Sequence, residues 1–565
     1  MNHEQLRALL EQPGGLFEVV QEPVLGVATP VFKQRERSMR EKVQNAVALH
    51  GDSEFLVDGD LRLTYRQFGE RVWGSAQTLM TEHGLQKGDR IAILAHNRPE
   101  WLIALFGATS AGAVAVGLNG WWATEEIEYG LRDSGARFLI VDEQLYERVA
   151  PLLGRIADLE EVFFIGDEAP PGTTPIEALL SPATDAPEVP IEEDDPFVIL
   201  YTSGTTGRSK GCVTTHRGTV AQVQGILHSF LLSALMRGEN PLEQVGGDRG
   251  QLATLLTSPL FHVAGLHSTV CTAMTVGTRL VFGPPRFDAE AVMALIERER
   301  VGTWMAIPTL LSRLLQHDKL ADYDLSSLSR ISTGGAPASP ELLQRASRLL
   351  PSRPNAGATY GLTESHGMAT SIAGDEAQSR VGSVGRPIPV VEVKILDAQG
   401  RELPAGESGE ICLRGATITP GYWNRPDATT ETLRDGWLWT GDIGYLDDDG
   451  YLYISDRAKD MILRGGENVY CVEIENVLCD HPEIEEAAVV GVADSDLGER
   501  VKAVVRRRPG SGLDALAVQA HVGEHLAKFK IPELIEFTDE PLPRNAAGKL
   551  LKNQLRTPAA PPTAG

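Results

Sequence analysis

Short apolar runs alternate with helix-length segments from about residue 60 to residue 350, and this rhythm limits the fold more than any other feature. The clearest runs are residues 90–95, 137–142, 197–201 and 277–282. Buried parallel strands are continuously apolar, and connecting helices return the chain to the same edge of the sheet. The sequence therefore predicts an α/β protein with largely parallel sheets.

Beyond residue 380 the pattern changes to short strands and frequent glycines. Short strands are predicted over residues 390–396, 409–415 and 450–455. They indicate a small antiparallel β-barrel or sheet. A helix near residues 472–479, strands near 486–492 and 500–507, and a helix near 515–528 indicate a separate α+β unit.

A chain of 565 residues is too long for one core. We expect a large N-terminal domain over residues 1–456, with two α/β layered sheets and the small β-barrel. A smaller, mobile C-terminal α+β domain should cover residues 457–565. The formal net charge of −25 argues against nucleic acid or an anionic membrane as the main partner.

Five cysteines without CxxC spacing indicate free thiols and a reducing compartment. The N-terminus lacks a basic start followed by an apolar stretch, so we expect no secretory signal. Residues 101–124 carry no charge, but four glycines dilute their hydrophobicity. A buried helix near residues 100–111 followed by a strand near 113–117 fits better than a membrane span, and we expect a cytoplasmic protein.

Residues 202–211, read as T-S-G-T-T-G-R-S-K-G, follow an apolar strand and have the composition of a phosphate-binding loop. The glycines allow a tight turn whose N–H groups face an anion. The proposed phosphate contacts are Thr202, Ser203, Gly204, Thr205, Thr206, Gly207 and Lys210. A Walker loop is disfavoured because Ser209 precedes the lysine and Gly211 follows it. A flexible surface loop is the alternative.

Four further motifs accompany this loop, at residues 258–265 (SPLFHVAG), 359–364 (TYGLTE), 440–444 (TGDIG, running on to Arg457) and 543–549 (PRNAAGK). In this order they resemble the adenylate-forming superfamily of acyl-CoA synthetases, luciferases and peptide-synthetase adenylation domains. The resemblance covers nearly the whole chain. It implies that ATP activates a carboxylic acid as an acyl adenylate, and that a thiol then displaces AMP.

The resemblance also implies roles for single residues. Glu364, helped by Thr205, would hold Mg²⁺, and Lys210 would meet the phosphates. Nucleotide contacts would come from Gly335, Ala336, Pro337, Thr359, Tyr360, Gly361, Thr363, Asp442 and Arg457. Tyr360 offers a face to adenine, and the Asp442 carboxylate suits the two ribose hydroxyls.

The C-terminal unit should serve both half-reactions. By resemblance, Lys549 reaches the α-phosphate and carboxylate oxygens during adenylation, and Lys459 is the hinge of a domain rotation. Gly465 and Gly466 would leave a channel for the pantetheine arm of coenzyme A.

The acyl pocket is less defined by the sequence. His262 is expected at its mouth, as a catalytic candidate, with Val263, Leu266, Trp304 and Gly335 as walls; a core role is as well supported for the walls. Residues 258–265 contain no aspartate to hold a substrate ammonium, which favours an acid without an α-amine. Residues 229–250 exceed a simple helix-to-strand connection and leave the pocket entrance undefined.

The leading interpretation is an ATP- and Mg²⁺-dependent acid:CoA ligase that acts on a fatty or related acid in lipid metabolism. An acyl-AMP ligase that loads a separate carrier protein is the first alternative. A non-catalytic nucleotide-binding relative and a luciferase-type monooxygenase are the others. Association as a homodimer is left open.

Overall fold

The computed structural model describes residues 3–202, 208–239, 250–334, 340–457, 460–464, 467–494, 497–544 and 550–556. In chain order, its strands are β1 (Val19–Val24), β2 (Val27–Phe32), β3 (Glu54–Asp58), β4 (Leu61–Thr64), β5 (Arg90–Leu94), β6 (Val114–Gly117), β7 (Phe138–Asp142), β8 (Glu161–Ile165), β9 (Thr174–Pro175), β10 (Pro196–Thr202), β11 (Lys210–Thr215), β12 (Ala253–Leu256), β13 (Arg279–Phe282), β14 (Thr303–Ala306), β15 (Arg330–Thr333), β16 (Asn355–Leu362), β17 (Gly367–Ala373), β18 (Ser383–Pro387), β19 (Val391–Leu396), β20 (Gly409–Gly415), β21 (Leu433–Arg434), β22 (Trp437–Leu446), β23 (Leu452–Arg457), β24 (Ile462–Arg464), β25 (Glu467–Val469), β26 (Ile484–Asp494), β27 (Gly498–Arg507) and β28 (Leu534–Thr538).

The α-helices are α1 (His3–Leu10), α2 (Met39–His50), α3 (Tyr65–Thr81), α4 (Pro99–Ser110), α5 (Thr124–Ser134), α6 (Glu143–Val149), α7 (His216–Met236), α8 (Thr272–Val276), α9 (Ala289–Glu299), α10 (Pro308–Leu315), α11 (Pro340–Leu349), α12 (Gly374–Ser379), α13 (Pro426–Thr432), α14 (Cys471–Cys479), α15 (Ala515–His525) and α16 (Lys552–Leu555). A π-helical segment, Ala264–Cys271, leads into α8. It begins with Ala264 and Gly265, the last two residues of the predicted second motif.

The first α/β sheet has seven strands in the order β11-β10-β6-β5-β7-β8-β9. All neighbours are parallel except β10 and β11, which form an antiparallel hairpin. The apolar runs predicted at residues 90–95 and 137–142 are β5 and β7, and their interior residues are fully buried. The predicted α/β layering is confirmed.

The second sheet has β4 at its edge, antiparallel to β3. Parallel strands follow in the order β3-β13-β12-β14-β15-β16, and antiparallel strands β17 and β18 continue the sheet. Strand β18 pairs with β23, which leads to β22, β20 and β19. The antiparallel strands predicted after residue 380 are therefore present, and they extend the second sheet through β18.

The last sheet, β25-β24-β27-β26 with β28 beside β27, packs against α14 and α15. Its core contains Ile474, Val489, Val505, Val518 and Val522, all fully buried. These strands and helices match the predicted C-terminal α+β unit.

The uncharged stretch at residues 101–124 folds as α4 and β6, with every residue of α4 except Glu100 buried. Within the described residues, α7 is the one helix long and apolar enough to span a membrane by composition. Of its most apolar window, 61% is buried inside the protein, as for a core helix. All five cysteines are free thiols.

Candidate active site

The predicted phosphate loop joins the two strands of the β10–β11 hairpin. Thr202 and Lys210 are register partners at the end of the hairpin next to the loop, and the Thr202 hydroxyl lies 3.5 Å from the Lys210 carbonyl oxygen. After Lys210 the chain continues as a strand, whereas a Walker loop leads into a helix. The hairpin therefore presents one ammonium group at the end of a sheet that is otherwise parallel.

Tyr422, a residue that sequence reasoning missed, contacts both Glu364 and this hairpin. The Tyr422 hydroxyl donates a 2.7 Å hydrogen bond to Oε1 of Glu364, and the Lys210 ammonium sits 5.0 Å from the centre of the Tyr422 ring. Burial and the Glu364 carboxylate raise the pKa of Tyr422, so its hydroxyl stays a donor. One aromatic side chain thus connects a cation with a carboxylate.

Main-chain hydrogen bonds hold this arrangement in place. The Thr419 N–H donates to the Glu364 carbonyl oxygen at 2.8 Å, and the Trp423 N–H donates to the Gly211 carbonyl oxygen at 2.7 Å. The loop that carries Tyr422 is therefore fastened both to the Glu364 turn and to strand β11.

Tyr360 and Asp442 form a second pair. The Tyr360 hydroxyl donates a 2.8 Å hydrogen bond to Oδ2 of Asp442, and both residues are buried. The Asp442 N–H donates to the Thr440 hydroxyl at 3.1 Å. Strands β22 and β23 place Arg457 in register with Asp442. The structure thus brings together the predicted adenine and ribose contacts.

The turn after Tyr360 depends on close backbone packing. A Cβ atom at Gly361 would lie 1.7 Å from the Gly367 carbonyl oxygen, so a side chain cannot be accommodated there without a backbone shift. Thr363 begins the short 3₁₀ turn that presents Glu364. Thr359, one residue before Tyr360, donates from its hydroxyl to the Thr333 carbonyl oxygen at 3.3 Å.

His366, which sequence reasoning also missed, packs beneath the Glu364 turn on the side of strand β11. It has a φ of 57° and is fully buried, and its Nε2 accepts a 2.8 Å hydrogen bond from the Thr215 N–H. Burial lowers the pKa of His366 to about 3, which keeps Nε2 available as an acceptor. His366 therefore connects the Glu364 turn to the end of β11.

His262 lies at the start of the π-helical segment, where its carbonyl oxygen accepts from the Leu266 N–H at 2.9 Å. Its ring centre is 5.0 Å from that of Phe261. Burial lowers the pKa of His262 to about 4, so the imidazole is neutral at pH 7. It can take part in hydrogen bonds there but supplies no positive charge.

A cavity of about 380 Å³ runs along strands β14 to β17 beneath α7 and the π-helical segment. Its lining includes Met305, Ser332, Gly357, Thr359 and Met368 toward the Tyr360 end. The opposing wall comes from Leu227, Phe230, Leu231, Ala234, Ser268 and Thr269. An apolar chamber therefore adjoins the candidate nucleotide site.

The predicted pocket walls need correction. The Trp304 side chain is fully buried in the core on the other face of β14 and donates to the Thr257 hydroxyl at 2.9 Å. Side chains alternate along a strand, so its neighbours Thr303 and Met305 line the cavity instead. Leu266 is likewise a core residue. His262 and Val263 do not line this cavity either.

The structure accounts for part of the unusual length of residues 229–250. The first eight continue helix α7 as far as Met236, and several of them line the cavity. The predicted site residues that lie outside the described residues are Ser203, Gly204, Thr205, Thr206, Gly207, Gly335, Ala336, Pro337, Lys459, Gly465, Gly466 and Lys549.

Two family models match this chain. The AMP-binding enzyme model matches residues 43–423, and the AMP-binding enzyme C-terminal domain model matches residues 473–549. The chain belongs to the AMP-binding enzyme family. The first match includes the hairpin, the Glu364 turn and Tyr422.

Curated relatives cover most of the chain. Feruloyl-CoA synthase from an Amycolatopsis species is 36% identical over 499 residues, which is 88% of this chain and 94% of that protein. Long-chain-fatty-acid–CoA ligase FadD13 of Mycobacterium tuberculosis is 36% identical over 505 residues, with 88% and 93% covered. The crystal structure of the anthranilate CoA ligase AuaEII with anthranoyl-AMP matches with a TM-score of 0.82 and 27% identity, covering 93% of this chain and 97% of that one. This family member is thus an AMP-forming acyl-CoA synthetase of the adenylate-forming superfamily.

Proposed function

We propose that this enzyme adenylates a fatty or related apolar carboxylic acid with ATP and then transfers the acyl group to coenzyme A. The observation that carries the proposal is the contact of Lys210, Tyr422 and Glu364 beside a hairpin loop, next to the Tyr360–Asp442 pair and an apolar cavity. The proposed sites for phosphate, nucleoside and acyl chain are thus contiguous.

In the first step a carboxylate oxygen attacks the α-phosphorus of ATP, and the bond to pyrophosphate breaks. Two anions must approach each other, so the main requirement is fixed positive charge and alignment. The Lys210 ammonium, held over the Tyr422 ring, supplies charge at the end of the hairpin. In the second step the thiolate of coenzyme A attacks the acyl carbonyl carbon, and AMP leaves.

We assign Glu364 as the protein ligand for Mg²⁺, with Thr205 as its proposed helper. A carboxylate together with substrate phosphate oxygens is the usual donor set for this ion. Glu364 fits because it is partly exposed and Tyr422 orients one of its carboxylate oxygens. When bound, Mg²⁺ would offset phosphate charge.

The nucleoside would lie between the Tyr360 ring and the loop that follows Gly334. Asp442 would accept hydrogen bonds from the ribose hydroxyls, and its hydrogen bond from Tyr360 fixes its orientation. Arg457 would contribute a cation from the facing strand. Thr359, Gly361 and Thr363 would shape the turn around the nucleotide.

His262 would lie near the acyl carbonyl group. Its low pKa means that a neutral imidazole would orient the acid by hydrogen bonding. We further propose that the C-terminal unit pivots near Lys459, brings Lys549 to the site for adenylation, and then presents Gly465 and Gly466 for thioester formation.

The size and apolar walls of the cavity support an acid with a substantial hydrocarbon body, as in lipid metabolism. Relatives named for feruloyl and long-chain fatty acyl substrates support the same range. Five free thiols and the enzyme's soluble substrates support a cytoplasmic location.

A pyrophosphate-release screen tests this proposal. Fatty acids of increasing length, aryl acids and ring-bearing acids are supplied with ATP and Mg²⁺, with and without coenzyme A. We expect release for a subset of acids, and thioester and AMP when coenzyme A is present. Acyl-AMP that accumulates and never reacts with coenzyme A would contradict the ligase assignment, and so would the absence of pyrophosphate release with every acid.

A further inference from the structure

Arg330 is a cation inside the acyl cavity. It is the first residue of β15, its side chain is largely enclosed, and it lines the cavity. Its guanidinium carbon lies 4.2 Å from the centre of the Phe230 ring. Within the described part of the chain it makes no side-chain hydrogen bond or ion pair.

This lack of a partner is unusual for a guanidinium, which carries five donors and is rarely enclosed without an acceptor. Arg279, by comparison, is ion-paired with Glu54 at 3.2 Å and Glu299 at 3.3 Å. The carboxylate that acts electrostatically on Arg330 is that of Glu239, which already forms an ion pair with Arg237 at 2.6 Å. Burial lowers the pKa of Arg330 only to about 10, so it is charged at neutral pH.

The Asn355 amide lies beside Arg330 at the same end of the cavity. Asn355 is the register partner of Arg330 on β16 and also lines the cavity. One end of its amide donates to the Ser233 hydroxyl at 3.3 Å, while Oδ1 is buried without a partner. The unused donors at this end of the mostly apolar chamber therefore belong to Arg330, while the unused Asn355 atom is an acceptor.

The distance from Arg330 to the nucleotide end of the cavity follows from the geometry of strand β15. Arg330 begins β15, and Gly334 directly follows the last residue of that strand. The two are four residues apart, and extended chain rises about 3.3 Å per residue, so they are about 13 Å apart. Gly334 lies beside Thr359, at the nucleotide end of the cavity. The interval between them is lined by Met305, Ser332 and the apolar face of α7.

We propose that the acid activated by this enzyme carries an oxygen acceptor at the far end of its hydrocarbon body, and that the Arg330 guanidinium binds it. The acceptor is a second carboxylate or a carbonyl oxygen, since both match a guanidinium donor. The inference rests on the proposed function and adds the substrate class. An apolar body of about the length of β15 would join the two functional groups.

The test compares three acids of matched length: decanoic acid, 9-oxodecanoic acid and decanedioic acid. For each, kcat/KM is measured by pyrophosphate release with wild type, Arg330→Met and Arg330→Lys. A hydrogen bond to a charged group changes affinity about ten- to hundred-fold. We expect wild type to prefer an oxygenated acid by that factor, Arg330→Met to lose the preference through a fall in kcat/KM for the oxygenated acids, and Arg330→Lys to regain part of it.

The relative rates of the diacid and the oxo acid tell a carboxylate from a carbonyl. Arg401→Met is the matched control, because this surface arginine is paired with Asp397 at 2.7 Å and does not line the cavity. Its preference should equal that of wild type. A wild type that favours decanoic acid, or an Arg330→Met variant that slows all three acids equally, would overturn the proposal.

A binding measurement distinguishes failure of the distal site from failure of the proposed ligase function. Thermal stabilisation of the protein by each acid needs no turnover. Greater stabilisation by the oxygenated acids that is lost in Arg330→Met would support the distal site even if no acid released pyrophosphate, and the ligase assignment alone would then fail. Equal stabilisation by all three acids would overturn the distal site.

Discussion

Replacing Tyr422 by phenylalanine removes one oxygen atom and leaves the ring under Lys210. The lost interaction is the 2.7 Å hydrogen bond to Oε1 of Glu364. A hydrogen bond to a charged group contributes about 1.5–3 kcal/mol. Each 1.4 kcal/mol is a factor of about ten in an equilibrium constant. The equilibrium that favours the oriented conformation of the Glu364 carboxylate should therefore fall by about ten- to hundred-fold.

If Glu364 holds Mg²⁺, this loss appears in the metal dependence of adenylation. Residues that orient a metal ligand typically change metal affinity by about ten- to hundred-fold. We expect ATP–pyrophosphate exchange by Tyr422→Phe to need that much more Mg²⁺ for half-maximal rate. Thioester formation from supplied acyl adenylate should change little, because that step follows pyrophosphate release.

Tyr323→Phe is the matched control. Its hydroxyl donates to Oε1 of Glu290 at 3.0 Å. This is also a tyrosine–glutamate hydrogen bond, but it joins the segment after α10 to helix α9. It should leave the Mg²⁺ requirement unchanged. An Mg²⁺ titration of Tyr422→Phe that overlays wild type would refute the role of this hydrogen bond, and a requirement raised equally by both variants would show a non-specific effect.

Three further outcomes are expected. Asp442→Ala should raise the KM for ATP about ten- to hundred-fold while the KM for the acid stays constant, and equal changes in both constants would contradict ribose binding. Lys549→Met should abolish acyl-adenylate formation but leave thioester formation from supplied acyl adenylate intact, and equal loss in both half-reactions would refute its role. Burial lowers the pKa values of His216, His267 and His366 to about 3, 4 and 3 from 6.5. Only the unfolded state gains these protons as pH falls from 6.5 toward 4, so urea unfolding should show declining stability over that window, and a flat profile would contradict it.

The strands were predictable because their signals are local. Fully buried parallel strands leave continuous apolar runs, as at β5 and β7, and these were placed to within a residue or two. The Tyr360–Asp442 pair joins two short motifs whose order along the chain is informative. Local patterns therefore predicted the layers of the large domain, and the nucleotide contacts stay a prediction.

Tyr422 was not predictable in this way, because its partners Lys210 and Glu364 are distant in sequence and meet only when the loop fastens to β11. Trp304 was misplaced for a different reason. Alternation along a strand divides residues between two faces, but it does not say which face borders the ligand cavity. Both failures reflect tertiary packing that no local pattern encodes.

The most direct test of the account is a crystal structure with a non-hydrolysable acyl sulfamoyl adenosine. We predict the adenine against Tyr360, the ribose hydroxyls on Asp442, the sulfamoyl group near Lys210, and the acyl chain in the cavity beneath α7. A ligand bound away from the β10–β11 hairpin, or an acyl chain outside that cavity, would contradict the account.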